Sequence, residues 1–341
     1  MFFDRHAPRT INLALQGGGA HGAFTWGVLD ALLEDGRTRF EGVSGTSAGA
    51  MNAVVMAHGL LEGGRDGARA ALRVFWDAVA ASMPAELTMA SGDGKNVRLV
   101  PTARMLLQWT HYFSPAQINP FDLDPLRDIV TAQIDFERLR ARSPLRLFLA
   151  ATHANSGKLR LFRETEVSAD ALLASACLPT MHRAIEIDGE PYWDGGYCAN
   201  PAVFPLFYDC DASDIVLVLL SPLKHIETPH TAQGIQTRVL EIAFNATFLR
   251  EMRMFAHVRE RVGRSRWLLG ALERRAMRTN FHVIEAEDVI AELSAETKLT
   301  AHLGFFAMLA DLGRARARAW LQANHAALGR RSTVDLGQLF Y

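Results

Sequence analysis

The chain has 341 residues, of which 49% are hydrophobic and 21% charged, with a formal net charge of −1. That length can bury a full core and that composition excludes a disordered chain, while the near-neutral charge excludes nucleic acid as a principal partner. Three cysteines, Cys177, Cys198 and Cys210, form an odd set without CxxC spacing, which fits free thiols in a reducing compartment rather than a disulfide framework. Residues 1–10 carry no apolar leader core, and no run reaches the roughly 18 apolar residues of a membrane span. A cytoplasmic protein is expected, with peripheral contact at a membrane or lipid surface left open.

In chain order, residues 10–15 form a buried strand that ends in Gly17-Gly18-Gly19-Ala20-His21-Gly22. A helix over 23–33 follows, with Phe24, Val28, Leu29 and Leu32 on its apolar face and Glu34-Asp35-Gly36 as its stop. A second strand runs through Phe40-Glu41-Gly42-Val43 into Gly45-Thr46-Ser47-Ala48-Gly49, and an apolar helix covers 50–61. Two buried strands joined by a helical crossover imply a parallel sheet covered on both faces.

From 82 to 124 the pattern loosens: a loop at 91–96, a helical stretch bearing Met105, Leu106, Leu107 and Trp109, and a break at Asn119-Pro120-Phe121. A core helix is the plain reading of that stretch, and a lid over a nearby site is the functional one. Residues 145–154 and 159–162 form a hairpin about Asn155-Ser156-Gly157-Lys158, and Ser168 caps a helix ending near Cys177-Leu178-Pro179. A second hairpin turns at Asp188-Gly189, its outgoing strand closes on Tyr192-Trp193-Asp194-Gly195-Gly196, and 215–220 is a further apolar strand. Beyond 221 the chain reads as helices over 232–262, 265–278 and 304–325, with strand-like 281–284 between them. The expected architecture is a three-layer α/β/α domain with a mainly parallel sheet over 10–222. Residues 223–341 then form a mainly helical extension packed on it.

Three chemistries compete for the glycine turns. Gly17, Gly19 and Gly22 satisfy G-x-G-x-x-G between strand and helix, and Glu41 lies about 20 residues on, as in a dinucleotide site. Yet the second strand ends in Gly-Thr-Ser-Ala-Gly, where the ribose-binding acid should project. Gly45-x-Ser47-x-Gly49 also fits the nucleophile elbow of a Ser-Asp-His hydrolase, in which the histidine comes last in the chain. His225, His230, His257, His282 and His302 are available for that, but none sits in a distinctive turn. The third chemistry uses all three turns. Ser47 supplies a nucleophile, N–H groups of the first turn supply oxyanion donors at a helix N-terminus, and Asp194 supplies the base. A free carboxylate is a weak base, so this requires burial to raise its proton affinity.

On Gly17-Gly18-Gly19-Ala20-His21-Gly22, Gly45-Thr46-Ser47-Ala48-Gly49 and Asp194-Gly195-Gly196 with Asn200-Pro201, the sequence resembles the patatin-like phospholipases. The Ala174-Ser175-Ala176-Cys177-Leu178-Pro179 stretch resembles them too, and the order and spacing agree over about residues 10–220. The resemblance implies a Ser47–Asp194 dyad and an oxyanion hole at Gly17, Gly18 and Gly19, with Gly22, Gly45, Gly49, Gly195 and Gly196 as supporting turn residues. It implies hydrolysis of lipid acyl esters through an acyl-enzyme, without calcium. His21 departs from the arginine or lysine common at its position. A non-catalytic lipid- or granule-surface protein of the same fold is the alternative.

Among the remaining residues, Asp188 reads as a solvated turn residue rather than the base. His21 reads as a helix-start residue with a local hydrogen bond, and Cys198 as a packed free thiol. No Asp, Glu, His or Cys cluster has metal-ligand spacing, so neither metal nor cofactor is expected. Residues 250–278 hold nine arginines against three glutamates, which fits a solvated helix face or a membrane or partner surface. Oligomeric state is not legible.

Overall fold

The computed structural model describes residues 8–82, 88–90, 97–100, 114–119, 122–224, 227–264 and 269–341. The expected loop at 91–96, the helical stretch with Met105 to Trp109 and the Pro120-Phe121 break lie outside the described residues, as does His225.

Strands β1 (Arg9–Leu15), β2 (Thr38–Thr46), β5 (Arg146–His153), β6 (Leu159–Arg163), β7 (Ile185–Ile187), β8 (Glu190–Asp194), β9 (Asp214–Val218) and β10 (Asn280–Ile284) form one sheet. The short β3 (Thr88–Ala90) and β4 (Val97–Leu99) pair separately as an antiparallel ribbon. The order in the main sheet is β10-β9-β1-β2-β5-β8-β7, with β6 also paired to β5. From β10 to β5 every neighbour is parallel, while β6 and β8 run antiparallel to β5 and β7 antiparallel to β8. A mainly parallel sheet requires crossovers on its faces. The helices are α1 (Gly22–Asp35), α2 (Ala48–Ala81), α3 (Pro125–Gln133), α4 (Phe136–Arg142), α5 (Ala169–Ser175), α6 (Phe204–Asp209), α7 (Ala232–Arg264), α8 (Ala271–Arg278) and, after the last strand, α9 (Leu303–Asn324).

Period-two alternation sends side chains to two cores, one on each face of the sheet. On β1, Ile11, Leu13 and Leu15 join the core under α1, α2 and α9, and Ala14 joins the one under α6 and α7. On β9, Val216 and Val218 face the first core, and Ile215 and Leu217 the second. The three-layer α/β/α arrangement is therefore as the sequence implies.

Two helices differ from expectation. The helix after Ser47 does not stop near 61 but continues to Ala81, broken at Gly63 and Gly64, whose dihedrals leave the helical region. Helix α1 is not one-sided, because every residue from Gly22 to Leu33 is buried. Its outer side is covered by α9, and the two helices cross at backbone contact. A Cβ on Gly27 would strike the Ala310 carbonyl, and one on Gly313 would strike the Phe24 carbonyl.

Registers position the site. Leu15 pairs with Gly45, so the first glycine turn leaves β1 beside the end of β2. Thr46 pairs with Ala150 and Ala151 with Asp194, so residues 47 and 194 come level across β5.

Candidate active site

Ser47 ends β2 and precedes α2 with φ 54° and ψ −122°. A non-glycine residue in that region stores of the order of 1–3 kcal/mol, a strain that clusters at functional sites. The turn is possible because its flanking glycines allow helix and strand to touch. A Cβ on Gly45 would lie 2.6 Å from the Gly49 backbone, and one on Gly49 would enter the Leu15 carbonyl. Gly22 likewise lets α1 lie against the start of α2, since a Cβ there would stand 2.6 Å from the Ala48 methyl. The Ser47 N–H donates to Ser175 Oγ at 2.9 Å, so the end of α5 holds the turn from behind.

Asp194 is 2% exposed and accepts the Gly196 N–H at 2.7 Å. Ser47 and Asp194 line the same cavity, and the serine side chain acts on the carboxyl by lowering its pKa. Burial pushes its pKa from 3.8 up to about 7, against the opposing pull of the Gly196 N–H and Ser47. Gly195 packs on the Ala150 carbonyl and Gly196 on the Phe244 ring, leaving no room for side chains at either position. Asp188, by contrast, is exposed at the tip of the β7–β8 hairpin with φ 54°.

The first glycine turn sits beside this pair. Gly17 N–H donates to Asn200 Oδ1 at 2.7 Å. Among the described residues no acceptor meets the Gly18 or Gly19 N–H. Gly19 has φ +58°, a left-handed conformation that suits glycine. A network fixes the turn: Gln16 Nε2 donates to Asn245 Oδ1 on α7 at 3.0 Å, and Gln16 Oε1 accepts from Leu220 N and Ser221 N. Thr46 Oγ1 donates to the Ala199 carbonyl at 2.7 Å. Gln16, Ser175 and Asn245 escape a reading of the sequence for chemistry, because each acts through a partner more than 100 positions away.

His21 differs from expectation. It is 1% exposed, and its Nε2 meets Thr297 Oγ1 at 2.7 Å, a distant partner rather than a local one. Burial first, then the nearby Lys298 charge, lowers its pKa to about 3. It is therefore neutral at working pH and brings no pH-dependent positive charge to the site.

Most of the residues that the competing chemistries would use are engaged elsewhere. Glu41 spends both carboxylate oxygens on the N–H groups of Asp211 and Ala212, at 2.7 and 2.6 Å, and is a loop anchor. His282 is buried against Asp214 at 2.9 Å, His302 caps α9, and His257 meets Tyr341. None of these lines the cavity at Ser47. Cys198 is a packed thiol donating to the Gly157 carbonyl at 3.0 Å.

Ser47, Asp194 and Gly17 to Gly19 open into a cavity of about 340 Å³. Leu178, Met181, Tyr197, Leu240, Phe244 and Leu299 give it apolar walls, and Lys298 and Glu241 place opposite charges in it. Lys298 Nζ lies 3.4 Å from Glu241. The cavity's size fits a small-molecule site of mostly apolar lining with few polar groups.

Such a site defines the class: an α/β protein with a strained serine, a proton-retaining carboxyl and an apolar cavity at the ends of parallel strands. The family model of patatin-like phospholipases matches residues 13–207, more than half of the 341, and the chain belongs to that family. No curated protein matches the sequence. Among solved structures, VipD from Legionella pneumophila matches at 16% identity with a TM-score of 0.38, covering 98% of this chain and 73% of that one. ExoU in its heterodimeric complex with SpcU, from the type III secretion system of Pseudomonas aeruginosa, matches at 17% identity with a TM-score of 0.32, covering 98% and 75%. Scores at that level carry no inference about activity.

Proposed function

We propose that this protein is a serine lipid acyl hydrolase working through Ser47 and Asp194. The observation that carries it is a strained serine and a buried carboxyl of pKa near 7 lining one cavity at the ends of β2 and β8. A carboxylate at its ordinary pKa would hardly accept a serine proton, whereas one near neutrality is matched to that task. Ser47 Oγ attacks the ester carbonyl as Asp194 takes its proton, and Asp194 returns the proton to the departing alcohol. Water, deprotonated by the same carboxylate, then releases the fatty acid and frees Ser47.

The oxyanion donors narrow to Gly18 and Gly19, because the Gly17 N–H is held by Asn200. Gly17 then serves by its lack of a side chain: a Cβ there would lie 2.7 Å from the Thr46 carbonyl and 3.0 Å from Ser47 Cβ. The apolar walls suit an acyl chain. The cleaved ester belongs to a lipid, its headgroup open.

Ser47→Ala is expected to abolish turnover of a short-chain nitrophenyl ester and labelling by a fluorophosphonate, with the folded structure kept. Folded wild-type protein that takes no label at Ser47 would instead support a non-catalytic lipid-binding role.

A further inference from the structure

Helix α7 buries Phe248, Met252 and Ala256 in the second core and also shows an apolar stretch to solvent. A surface helix normally turns a polar side to water and an apolar side inward. Here Ile235, Val239 and Ile242 are 47%, 58% and 52% exposed, and Leu240 and Met254 are exposed as well. Their spacing at i, i+4 and i+7 puts Ile235, Val239 and Ile242 on one side of the helix, facing away from the protein. Further along that same side stand Arg250, Arg253 and His257, all exposed, with Arg253 Nε donating to the Phe340 carbonyl at 3.1 Å and His257 meeting the Tyr341 hydroxyl. The span 235–257 contains two carboxylates, and both turn inward. Glu241 lines the cavity and pairs with Arg238 and Lys298, and Glu251 accepts the N–H groups of Val203 and Phe204. The outward side over this span thus reads apolar, then cationic, with no acid.

The same helix walls the catalytic cavity. Thr237, Leu240, Glu241 and Phe244 line it, and Leu240, next in the chain to Val239, lines the cavity while half exposed.

We propose that the outward side of α7 is the docking surface for an anionic lipid leaflet. This rests on the acyl-hydrolase reading only for what enters the cavity. The charge pattern selects the occupant. Exposed aliphatic side chains enter the boundary of headgroups and acyl chains, and flanking arginines gain about 1 kcal/mol each near anionic lipid. The arginine-rich stretch from 250 onward, ambiguous in sequence, then has a role for its first part, Arg250 and Arg253.

The test uses full-length protein carrying Ser47→Ala, so that lipid is not consumed, in sedimentation with phosphatidylcholine vesicles made with and without phosphatidylglycerol. The protein is expected to bind the anionic vesicles. Val239→Asp with Ile242→Asp should weaken that binding at least about tenfold. Arg250→Gln with Arg253→Gln should reduce the preference for phosphatidylglycerol. In the Ser47 background, the Val239→Asp and Ile242→Asp protein should hydrolyse soluble nitrophenyl ester like the wild type but fail on vesicle phospholipid.

Binding that ignores phosphatidylglycerol, or aspartate variants that bind as the parent does, overturns the proposal. A dimer dissolved by Val239→Asp, with vesicle binding intact, overturns it in favour of a second copy of the chain. Soluble-ester turnover that survives Ser47→Ala would sink the catalytic reading instead, and leaves the vesicle result to stand or fall by itself.

Discussion

The proposed two-residue site, without histidine, needs a carboxyl that holds its proton until near pH 7, and burial pushes the Asp194 pKa up to about 7. Two outcomes follow at this scale. The value of kcat/KM should rise with pH through an apparent pKa of about 7 and then level, since Asp194 must be ionised to accept the Ser47 proton. A nitrophenyl-ester pH profile flat from 5 to 9 would contradict this. The same shift carries a stability cost. The folded pKa lies above the unfolded one, so the fold binds the extra proton and loses stability as pH rises from about 4 to about 7. Asp194→Asn removes that loss. It should abolish turnover yet stabilise the protein by about 2–4 kcal/mol at pH 8, with the gain shrinking toward pH 4, as read by urea denaturation. Ser47 and Asp194 were legible as candidates because each stands in a turn of unusual composition. The diversion of the Gly17 N–H to Asn200 and the neutral state of His21 were not, because both depend on residues far along the chain.

Among the elements, the crossing of α1 with α9 depends on two glycines inside helices. Alanine usually stabilises a helix relative to glycine by about 1 kcal/mol, but at Gly27 its methyl would enter the Ala310 carbonyl. Gly27→Ala should therefore destabilise by about 1–3 kcal/mol, and a rise in the urea midpoint would contradict the backbone contact. Asp30, 3% exposed on α1, binds Arg69 at 2.9 Å and also Arg314 of α9. Asp30→Ala leaves both guanidinium groups without that partner, each still partly solvated, and about 2 kcal/mol should be lost. Helix periodicity gave the position and length of α1 closely. It misjudged α1 as one-sided, because a sequence pattern reports which residues are apolar and not how many neighbours will cover them.

The division of the molecule at residue 222 is kept as a proposal about chain organisation, with the two parts folding together. Residues beyond it supply β10 at the sheet edge, α9 over α1, and Leu240, Phe244 and Lys298 around the cavity. A chain ending at 222 should show no cooperative unfolding transition and no ester turnover. A folded, active fragment would instead make the C-terminal part an accessory. Among the described residues no helix is long and apolar enough to cross a membrane.

The amino-acid order alone determined the alternating strands, the helical crossovers and the three glycine turns, since these follow from local periodicity and from the steric needs of tight turns. Only the tertiary structure decided which amides stay free for a substrate, what charge His21 and Asp194 carry, and that α7 both walls the cavity and shows an apolar side to solvent. Those properties arise from desolvation and from partners brought together across the sheet, and no local stretch of sequence contains them.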